Sequence, residues 1–323
     1  MKKLYPLKFL PILKERLWGG TKLKDVLGKP IESDITGESW ELSAIAGDVS
    51  IVANGELAGT SLKELILDYG AELLGQDLIK RFGHEFPILI KFIDAKMDLS
   101  IQLHPGDDLA KQRHNSFGKT EMWYIMDAEP GAQLIVGFNR DVTPEVYQKS
   151  LENNNLLELL NYESVKEGDT FFINTGKIHA IGAGVLLAEI QQTSDITYRV
   201  FDFNRRDKDG NLRELHTELA LDAIDYKRRD DFKVDYARIP DRANTMVHSP
   251  YFKTDYLELT RDLVRDISGR DTFTILMCVS GTAEVQNETG STGLQRGETV
   301  LLPAGSNIMT IHTEGARFLE VTL

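Results

Sequence analysis

The stretch that decides the fold is Gly168-Asp-Thr-Phe-Phe-Ile-Asn-Thr-Gly-Lys-Ile-His179. A second copy, Gly297-Glu-Thr-Val-Leu-Leu-Pro-Ala-Gly-Ser-Asn-Ile308, follows 129 positions later with both glycines in register. Each copy is typical of a glycine turn, a strand of about five residues and a second glycine turn. The repeat therefore predicts that one β-architecture occurs twice in the chain.

The two copies differ at the positions that carry chemistry. The first ends on His179, whose imidazole can bind a metal, whereas the second has Ile308 there. The second keeps Pro303, where the first has Asn174. The pattern resembles the second conserved motif of cupins, which are small antiparallel jelly-roll barrels. We therefore expect a mainly β fold with two cupin-type jelly-roll barrels, of which only the first can hold a metal.

Helical patterns interrupt the N-terminal half. Residues 60–82 carry leucine and isoleucine at helical spacing, and residues 144–160 begin with a proline followed by a similar pattern. Residues 227–243 are charged and have the composition of a linker. We predict a catalytic cupin domain over residues 1–235 with a small helical insertion at about 60–82 and 144–160. A degenerate C-terminal cupin domain without metal is predicted over residues 236–323.

Composition excludes several classes of function. The 323 residues include 37 Lys+Arg and 50 Asp+Glu, which gives a net charge of −13. Such a chain is a poor non-specific binder of nucleic acid or anionic membranes. The single cysteine, Cys278, allows no internal disulfide and fits a reducing compartment. Apolar runs are short and no signal-peptide core is present, so we expect a cytoplasmic protein without a membrane or obligate protein partner.

Polar side chains alternate along the predicted strand Leu99-Ser-Ile-Gln-Leu-His104. Successive strand residues point to opposite faces, so Ser100, Gln102 and His104 share one face. Downstream, Lys119 and Glu121 share a face of the segment Gly118-Lys-Thr-Glu-Met-Trp-Tyr-Ile125. A carboxylate entering an apolar strand costs free energy unless it is paired or coordinated. A salt bridge between Lys119 and Glu121 at a sheet edge is the simpler alternative.

Two imidazoles and a carboxylate, His104, Glu121 and His179, form a donor set that suits zinc or a similar divalent ion. Gln102 would add a fourth ligand oxygen. The ligands are dispersed over three strands, as the interior of a barrel requires. A further polar face follows on Val185-Leu-Leu-Ala-Glu-Ile-Gln-Gln-Thr193, which carries Glu189.

These motifs together resemble the type I mannose-6-phosphate isomerases, and the short bacterial branch of that family fits best. The resemblance rests on Ser100–Asp107, Gly118–Tyr124 and His179–Arg199, with further similarity at Trp18-Gly-Gly20 and Gly37–Ser43. It covers most of residues 5–205 closely and the remainder more loosely. It implies a zinc-dependent interconversion of D-mannose 6-phosphate and D-fructose 6-phosphate, in which a proton moves between C2 and C1 through an enediol.

The resemblance also implies roles for individual residues. One zinc ion per chain would be held by Gln102, His104, Glu121 and His179, with Gln102 the ligand that water can replace. Catalytic residues would be Lys119, Glu189, Asp195 and Arg199. Arg199 would stabilise developing negative charge, and proximity to zinc would lower the pKa of Lys119. The sequence does not choose a proton-transfer group among Lys119, Asp195 and Glu189.

A sugar phosphate needs local cations in a chain this acidic. Arg205 and Arg206 follow the third motif, and we predict that one of them, with Ser100, helps to hold the phosphate. The alternative is that Arg205-Arg-Asp-Lys-Asp209 is a solvated charged turn.

Two other functions stay open at this stage. Two histidines and a carboxylate also form the facial triad of non-haem iron oxygenases, and the scaffold would equally serve a non-catalytic sugar-phosphate-binding protein. The chain has no phosphate-binding P-loop and no dinucleotide-binding fingerprint. It also lacks a Gly-x-Ser-x-Gly nucleophile elbow.

Overall fold

The structure, a computed structural model, describes residues 2–207 and 209–323. Strands dominate it. In the N-terminal two-thirds they are β1 (Leu7–Lys8), β2 (Ile12–Gly20), β3 (Thr36–Leu42), β4 (Ala44–Ile45), β5 (Asp48–Val49), β6 (Ile88–Ala95), β7 (Ile101–Leu103), β8 (Glu121–Ala128), β9 (Gln133–Phe138), β10 (Leu160–Ser164), β11 (Thr170–Ile173), β12 (His179–Ile181), β13 (Val185–Gln192) and β14 (Tyr198–Phe201). The C-terminal third has β15 (Ala243–His248), β16 (Lys253–Leu259), β17 (Leu263–Asp266), β18 (Thr274–Asn287), β19 (Gly290–Gln295), β20 (Thr299–Leu302), β21 (Ile308–His312) and β22 (Ala316–Thr322).

The helices are short and lie mostly in the N-terminal half. They are α1 (Lys22–Asp25), α2 (Leu62–Tyr69), α3 (Ala71–Leu74), α4 (Gln76–Phe82), α5 (Asp107–His114), α6 (Pro144–Glu152) and α7 (Thr217–Leu221), with 3₁₀ turns at Gly55–Leu57 and Leu156–Leu159. Helix α2 begins at a capping box, in which Ser61 and Glu64 satisfy each other's backbone N–H groups. Within the described residues, no helix combines the length and apolar character needed to span a membrane.

The strands pair antiparallel in three main sheets. A six-stranded sheet has the order β11-β8-β13-β6-β3-β2, and a five-stranded sheet has the order β10-β9-β12-β7-β14. A nine-stranded sheet contains the C-terminal strands together with β1, which pairs with β20. The fold is thus mainly β, as the sequence predicts.

The sequence repeat corresponds to a structural repeat. Strands β11 and β20 occupy the same four positions of the two copies, and β12 and β21 begin at the same position. The first glycine of each copy, Gly168 or Gly297, has φ +85°, a backbone conformation that residues with a Cβ rarely adopt. This requirement explains why glycine recurs at the first position of the motif.

Four apolar clusters hold the sheets together, and two of them decide where a site can form. One lies between the six-stranded and five-stranded sheets and includes Ile93, Trp123 and Ile181. Another lies within the nine-stranded sheet and includes Leu276, Val300 and Phe318. The largest cluster joins helices α2–α4 to the six-stranded and nine-stranded sheets and therefore crosses the predicted boundary at residue 235.

Candidate active site

A polar cavity of about 460 Å³ opens between the six-stranded and five-stranded sheets. Most side chains of the predicted site line it. The lining residues are Arg16, Trp18, Glu38, Trp40, Lys91, Ile93, Leu99, Ser100, Gln102, Lys119, Glu121, Trp123, His179, Ala180, Ile181, Glu189, Asp195, Thr197, Arg199 and Arg213.

His104, Glu121 and His179 come together at the buried end of this cavity. Their potential ligand atoms all lie within 4.8 Å of one another, and each side chain is 1% exposed. His104 Nε2 lies 3.4 Å from Glu121 Oε2, and His179 Nε2 lies 3.5 Å from Glu121 Oε1. Ligand atoms about 2.05 Å from a tetrahedral zinc ion are about 3.3 Å apart, so these separations fit such an ion.

Backbone carbonyl groups orient both imidazoles. His104 Nδ1 lies 2.8 Å from the carbonyl oxygen of Ile196, and His179 Nδ1 lies 2.8 Å from that of Lys177. A carbonyl oxygen can accept a hydrogen bond but cannot donate one, so Nδ1 of each ring carries the proton. The lone pair on Nε2 of each ring then faces Glu121. Metal-binding histidines are typically held in this way.

Electrostatics also favour a neutral, ligand-ready pair of histidines. Burial and the Lys119 ammonium lower the pKa of His104 well below its ordinary value, and burial lowers that of His179 to about 4. Among the described residues, no donor forms a hydrogen bond to Nε2 of His179. A buried polar atom without a partner is costly. The donor set therefore fits a divalent metal.

Lys119 lies beside this cluster rather than at a sheet edge. Its Nζ is 3.1 Å from Glu121 Oε2 and 3.2 Å from His104 Nε2, and the side chain is 6% exposed. Burial alone would lower the pKa of Lys119, but Glu121 and Glu189 outweigh it and raise the pKa. The two glutamates therefore act on this pKa in the direction opposite to that expected of a zinc ion.

Glu189 is fixed from two sides on strand β13. Its Oε1 accepts a hydrogen bond of 3.0 Å from Nε1 of Trp123, and its Oε2 lies 3.1 Å from Nζ of Lys91. Burial alone would raise the pKa of Glu189, but Lys91, Lys119 and the indole N–H together lower it to about 2. The carboxylate is therefore ionised throughout the neutral pH range.

A second, partly buried carboxylate continues this charge network towards β2 and β3. Glu38 Oε2 accepts hydrogen bonds of 2.8 Å from both Arg16 and the indole of Trp40. Burial alone would raise the pKa of Glu38, but Lys91 and Arg16 outweigh it and lower the pKa. Cations and anions alternate along this wall, which suits a substrate with many hydroxyl groups.

Four further residues of the predicted site also line the cavity, namely Ser100, Gln102, Asp195 and Arg199. Arg199 donates from Nε to Ser100 Oγ at 3.3 Å and from its guanidinium to the carbonyl oxygen of Glu214 at 2.9 Å. Gln102 lies opposite His179 on the neighbouring strand, and its Oε1 accepts from Ser100 at 3.2 Å. Asp195 is exposed and lines the cavity mouth.

The two arginines predicted to hold a phosphate lie outside the cavity lining as the structure describes it. Arg205 pairs with Asp202 and donates to the carbonyl oxygen of Asp98, while the exposed Arg206 donates to the carbonyl oxygen of Gly210. Arg213 lines the cavity instead, and its Nε donates to Asp202 Oδ2 at 2.6 Å.

Sequence reasoning missed the cavity residues Arg16, Glu38, Trp40, Lys91 and Arg213. Lys91 had a detectable signal, because a lysine within the apolar run Pro87–Ile93 must be paired if that strand is buried. Glu38 and Trp40 likewise lie two positions apart and share one face of β3. Arg213 follows an irregular loop and has no comparable signal.

Antiparallel sheets around a polar cavity, with Glu121 and His179 on two strands and His104 directly after a third, define a cupin-class protein with a candidate metal site. Residues 242–319 match the family model described as "Mannose-6-phosphate isomerase, cupin domain", and residues 7–132 match "Phosphomannose isomerase type I, catalytic domain". The chain belongs to the type I mannose-6-phosphate isomerase family.

Individual relatives match this chain over more than nine-tenths of its length. The chain is 38% identical to "Probable mannose-6-phosphate isomerase GmuF" of Bacillus subtilis, over 95% of this chain and 96% of that protein. It is 36% identical to "Mannose-6-phosphate isomerase ManA" of the same organism, over 93% of both. Among solved structures, the mannose 6-phosphate isomerase from Bacillus subtilis aligns with TM-score 0.89 and 32% identity, covering 99% of this chain and 100% of that one.

Proposed function

We propose that this chain interconverts D-mannose 6-phosphate and D-fructose 6-phosphate with one zinc ion per chain. The observation that carries the proposal is the buried His104, Glu121 and His179 cluster, placed beside Lys119 in a polar cavity. Membership of the isomerase family supports the reaction, and the donor set supports the metal. A cytoplasmic location is part of the proposal, supported by a single, buried, unpaired cysteine.

His104, Glu121 and His179 would hold the zinc ion, with Gln102 or water completing the ligand set. Once bound, zinc acts as a Lewis acid that polarises the C1 and C2 oxygens of the sugar. The two Nδ1–H groups held by backbone carbonyls keep the ligands oriented, so little reorganisation is needed on binding.

Isomerisation removes the proton from C2 of the aldose, returns a proton to C1, and moves a proton between the two oxygens. The reaction is redox-neutral and needs no co-substrate. Lys119 Nζ is our proposed proton carrier, because it lies within 3.2 Å of both a glutamate and a histidine of the cluster. A bound zinc ion would lower the pKa of Lys119, and the neutral amine could then accept the C2 proton. Glu189 is less suited to that role, since both its oxygens are already engaged and its low pKa makes it a weak base.

Glu189 and Arg199 have supporting roles in this proposal. Glu189 accepts hydrogen bonds from sugar hydroxyl groups while Lys91 neutralises its charge. Arg199 places a fixed positive charge at the cavity, where negative charge develops on the sugar oxygens during proton transfer. Asp195, at the mouth, would contact the substrate rather than exchange its carbon-bound proton.

The phosphate would bind at the Arg199 end of the cavity. Arg199, Arg213 and Ser100 lie there together. Arg213 is paired with Asp202, just as Arg16 and Lys91 on the opposite wall are paired with Glu38 and Glu189, whereas the partners that the structure describes for the Arg199 guanidinium are a hydroxyl and a carbonyl group. We therefore propose Arg213, in place of Arg205 or Arg206, as the second phosphate-binding arginine.

The proposal includes the architecture predicted from the repeat. The N-terminal domain (residues 1–235, the first half) and the C-terminal domain (residues 236–323, the second half) would each form a cupin-type jelly-roll barrel. The metal site would lie in the first half, with none in the second. The polar cavity within the first half and the apolar cluster within the second support this division.

A coupled assay of mannose 6-phosphate conversion, run with metal analysis of the untagged protein, tests the function. We expect turnover, about one zinc per chain, loss of activity on chelation and recovery with zinc. Iron without isomerisation would favour the oxygenase, and metal without any turnover would favour a sugar-phosphate-binding protein.

A further inference from the structure

Trp123 occupies a unique position between the proposed zinc ligands and the charged wall of the cavity. It lies on strand β8 directly opposite Glu189 of strand β13 and is 1% exposed. Its indole Nε1 donates to Glu189 Oε1 at 3.0 Å. The same side chain makes a T-shaped contact with the ring of His179, with centroids 5.4 Å apart and planes at 78°.

We propose that Trp123 is a positioning residue, which fixes the carboxylate of Glu189 through its indole N–H while its ring packs against His179. This inference rests on the proposed isomerase function, because it assigns the way in which one cavity carboxylate is held for the substrate. Trp123 acts through Glu189 and exchanges no proton itself.

Glu189 has one partner at each carboxylate oxygen. Trp123 donates a hydrogen bond of 3.0 Å to Oε1, and Lys91 Nζ forms an ion pair of 3.1 Å with Oε2, so rotation of the carboxylate would weaken at least one of these contacts. A lysine is a flexible point charge, whereas an indole wedged between strands is rigid. Trp123 therefore sets the plane of the carboxylate, and Lys91 neutralises its charge.

The packing explains why the indole itself holds its place. Trp123 belongs to the apolar cluster between the two sheets, together with Phe171, Ile125 and Leu187. It also lines the cavity, where it contacts Glu189 and His179. Any rotation of the indole would disturb its contacts with Glu189 and His179. The packed cluster therefore fixes the indole, and the indole fixes the positions of these two side chains.

Kinetics provide the first test. Trp123→Phe keeps an aromatic ring beside His179 but removes the N–H donor. We expect kcat to fall roughly tenfold or more, since a hydrogen bond to a charged group is lost, with KM changed less than twofold. In a Glu189→Ala background the same substitution should have little further effect, because its partner is already absent. An unchanged kcat, or an equal loss in both backgrounds, would overturn the proposal.

Spectroscopy supplies a test that does not depend on isomerase activity or on the folding of the Trp123 variant. The chain has three tryptophans, so ¹⁵N-indole labelling gives three Nε1–H resonances, which Trp18→Phe and Trp40→Phe variants assign. Glu189→Ala should shift the Trp123 indole proton upfield, as a hydrogen bond to a carboxylate is lost. If that resonance does not move, Trp123 does not hold Glu189, whether or not the protein isomerises sugar phosphates.

Discussion

The two copies of the repeat place different chemistry at the same position of the fold. In the first half His179 is buried, its Nδ1 lies 2.8 Å from a carbonyl oxygen, and it faces Glu121 across a polar cavity. In the second half Ile308 is 37% exposed, and the interior is filled by apolar side chains such as Leu276, Val300 and Phe318. The same turn and strand therefore border a polar cavity in one half and a packed apolar core in the other.

This contrast has a physical basis. A polar interior must satisfy every buried charge, and the first half does so with ion pairs such as Lys91 with Glu189 and Lys119 with Glu121. An apolar interior needs only complementary volume. We expect substitutions in the first half to change activity most, and substitutions in the second half to change stability most.

The largest effect should come from replacing the residues at the two equivalent positions of the repeat, one at a time, with alanine. His179→Ala removes a proposed zinc ligand, so we expect metal content to fall and kcat/KM to decrease about 10⁴-fold, or about 5.5 kcal/mol. Ile308→Ala is the matched control and should change neither. Metal analysis and the isomerase assay on both variants check this, and equal losses would erase the contrast between the halves.

Lys119→Met should separate proton transfer from metal binding. We expect kcat to fall about 10³-fold, which is within the range for loss of a general acid–base group, while the metal stays bound. Metal content and kcat measured on the same preparation provide the check. A variant that loses metal in parallel with activity would mean that Lys119 supports the ligands instead.

Leu302→Ala tests the second half in the opposite sense. Leu302 is fully buried in the C-terminal apolar cluster, and removing a buried leucine side chain costs about 3 kcal/mol of unfolding free energy. Urea unfolding should show that loss, and kcat at 25 °C should stay within twofold of the parent. A large fall in kcat in the folded variant would place catalytic function in the second half.

Arg213→Ala should have the smallest effect, confined to substrate binding. We expect KM for mannose 6-phosphate to rise about tenfold, or about 1.4 kcal/mol, with kcat changed little. Arg206→Ala tests the alternative drawn from the sequence and should alter KM less than twofold. A large rise in KM for Arg206→Ala, with little change for Arg213→Ala, would indicate that the phosphate binds at the Arg205-Arg206 turn.

How far the sequence predicts this site depends on the range of the interactions involved. Strand alternation places Ser100 and Gln102 on one face, and the repeat marks His179, so most of the polar lining is predictable from local pattern. Lys91 and Trp40 reach the same wall only because β6 pairs with β3, which no short motif encodes. The direction of Arg205 is set by Asp202 and a distant carbonyl of Asp98, and a charge run alone cannot specify that.

The central claim is that one half of the chain holds a metal and the other does not. Anomalous diffraction at the zinc edge, from crystals of the zinc-loaded protein, tests it most directly. We expect one strong peak per chain between His104, Glu121 and His179, and none within residues 242–319. A peak in the C-terminal half, or none at the His–Glu–His cluster, would contradict the account.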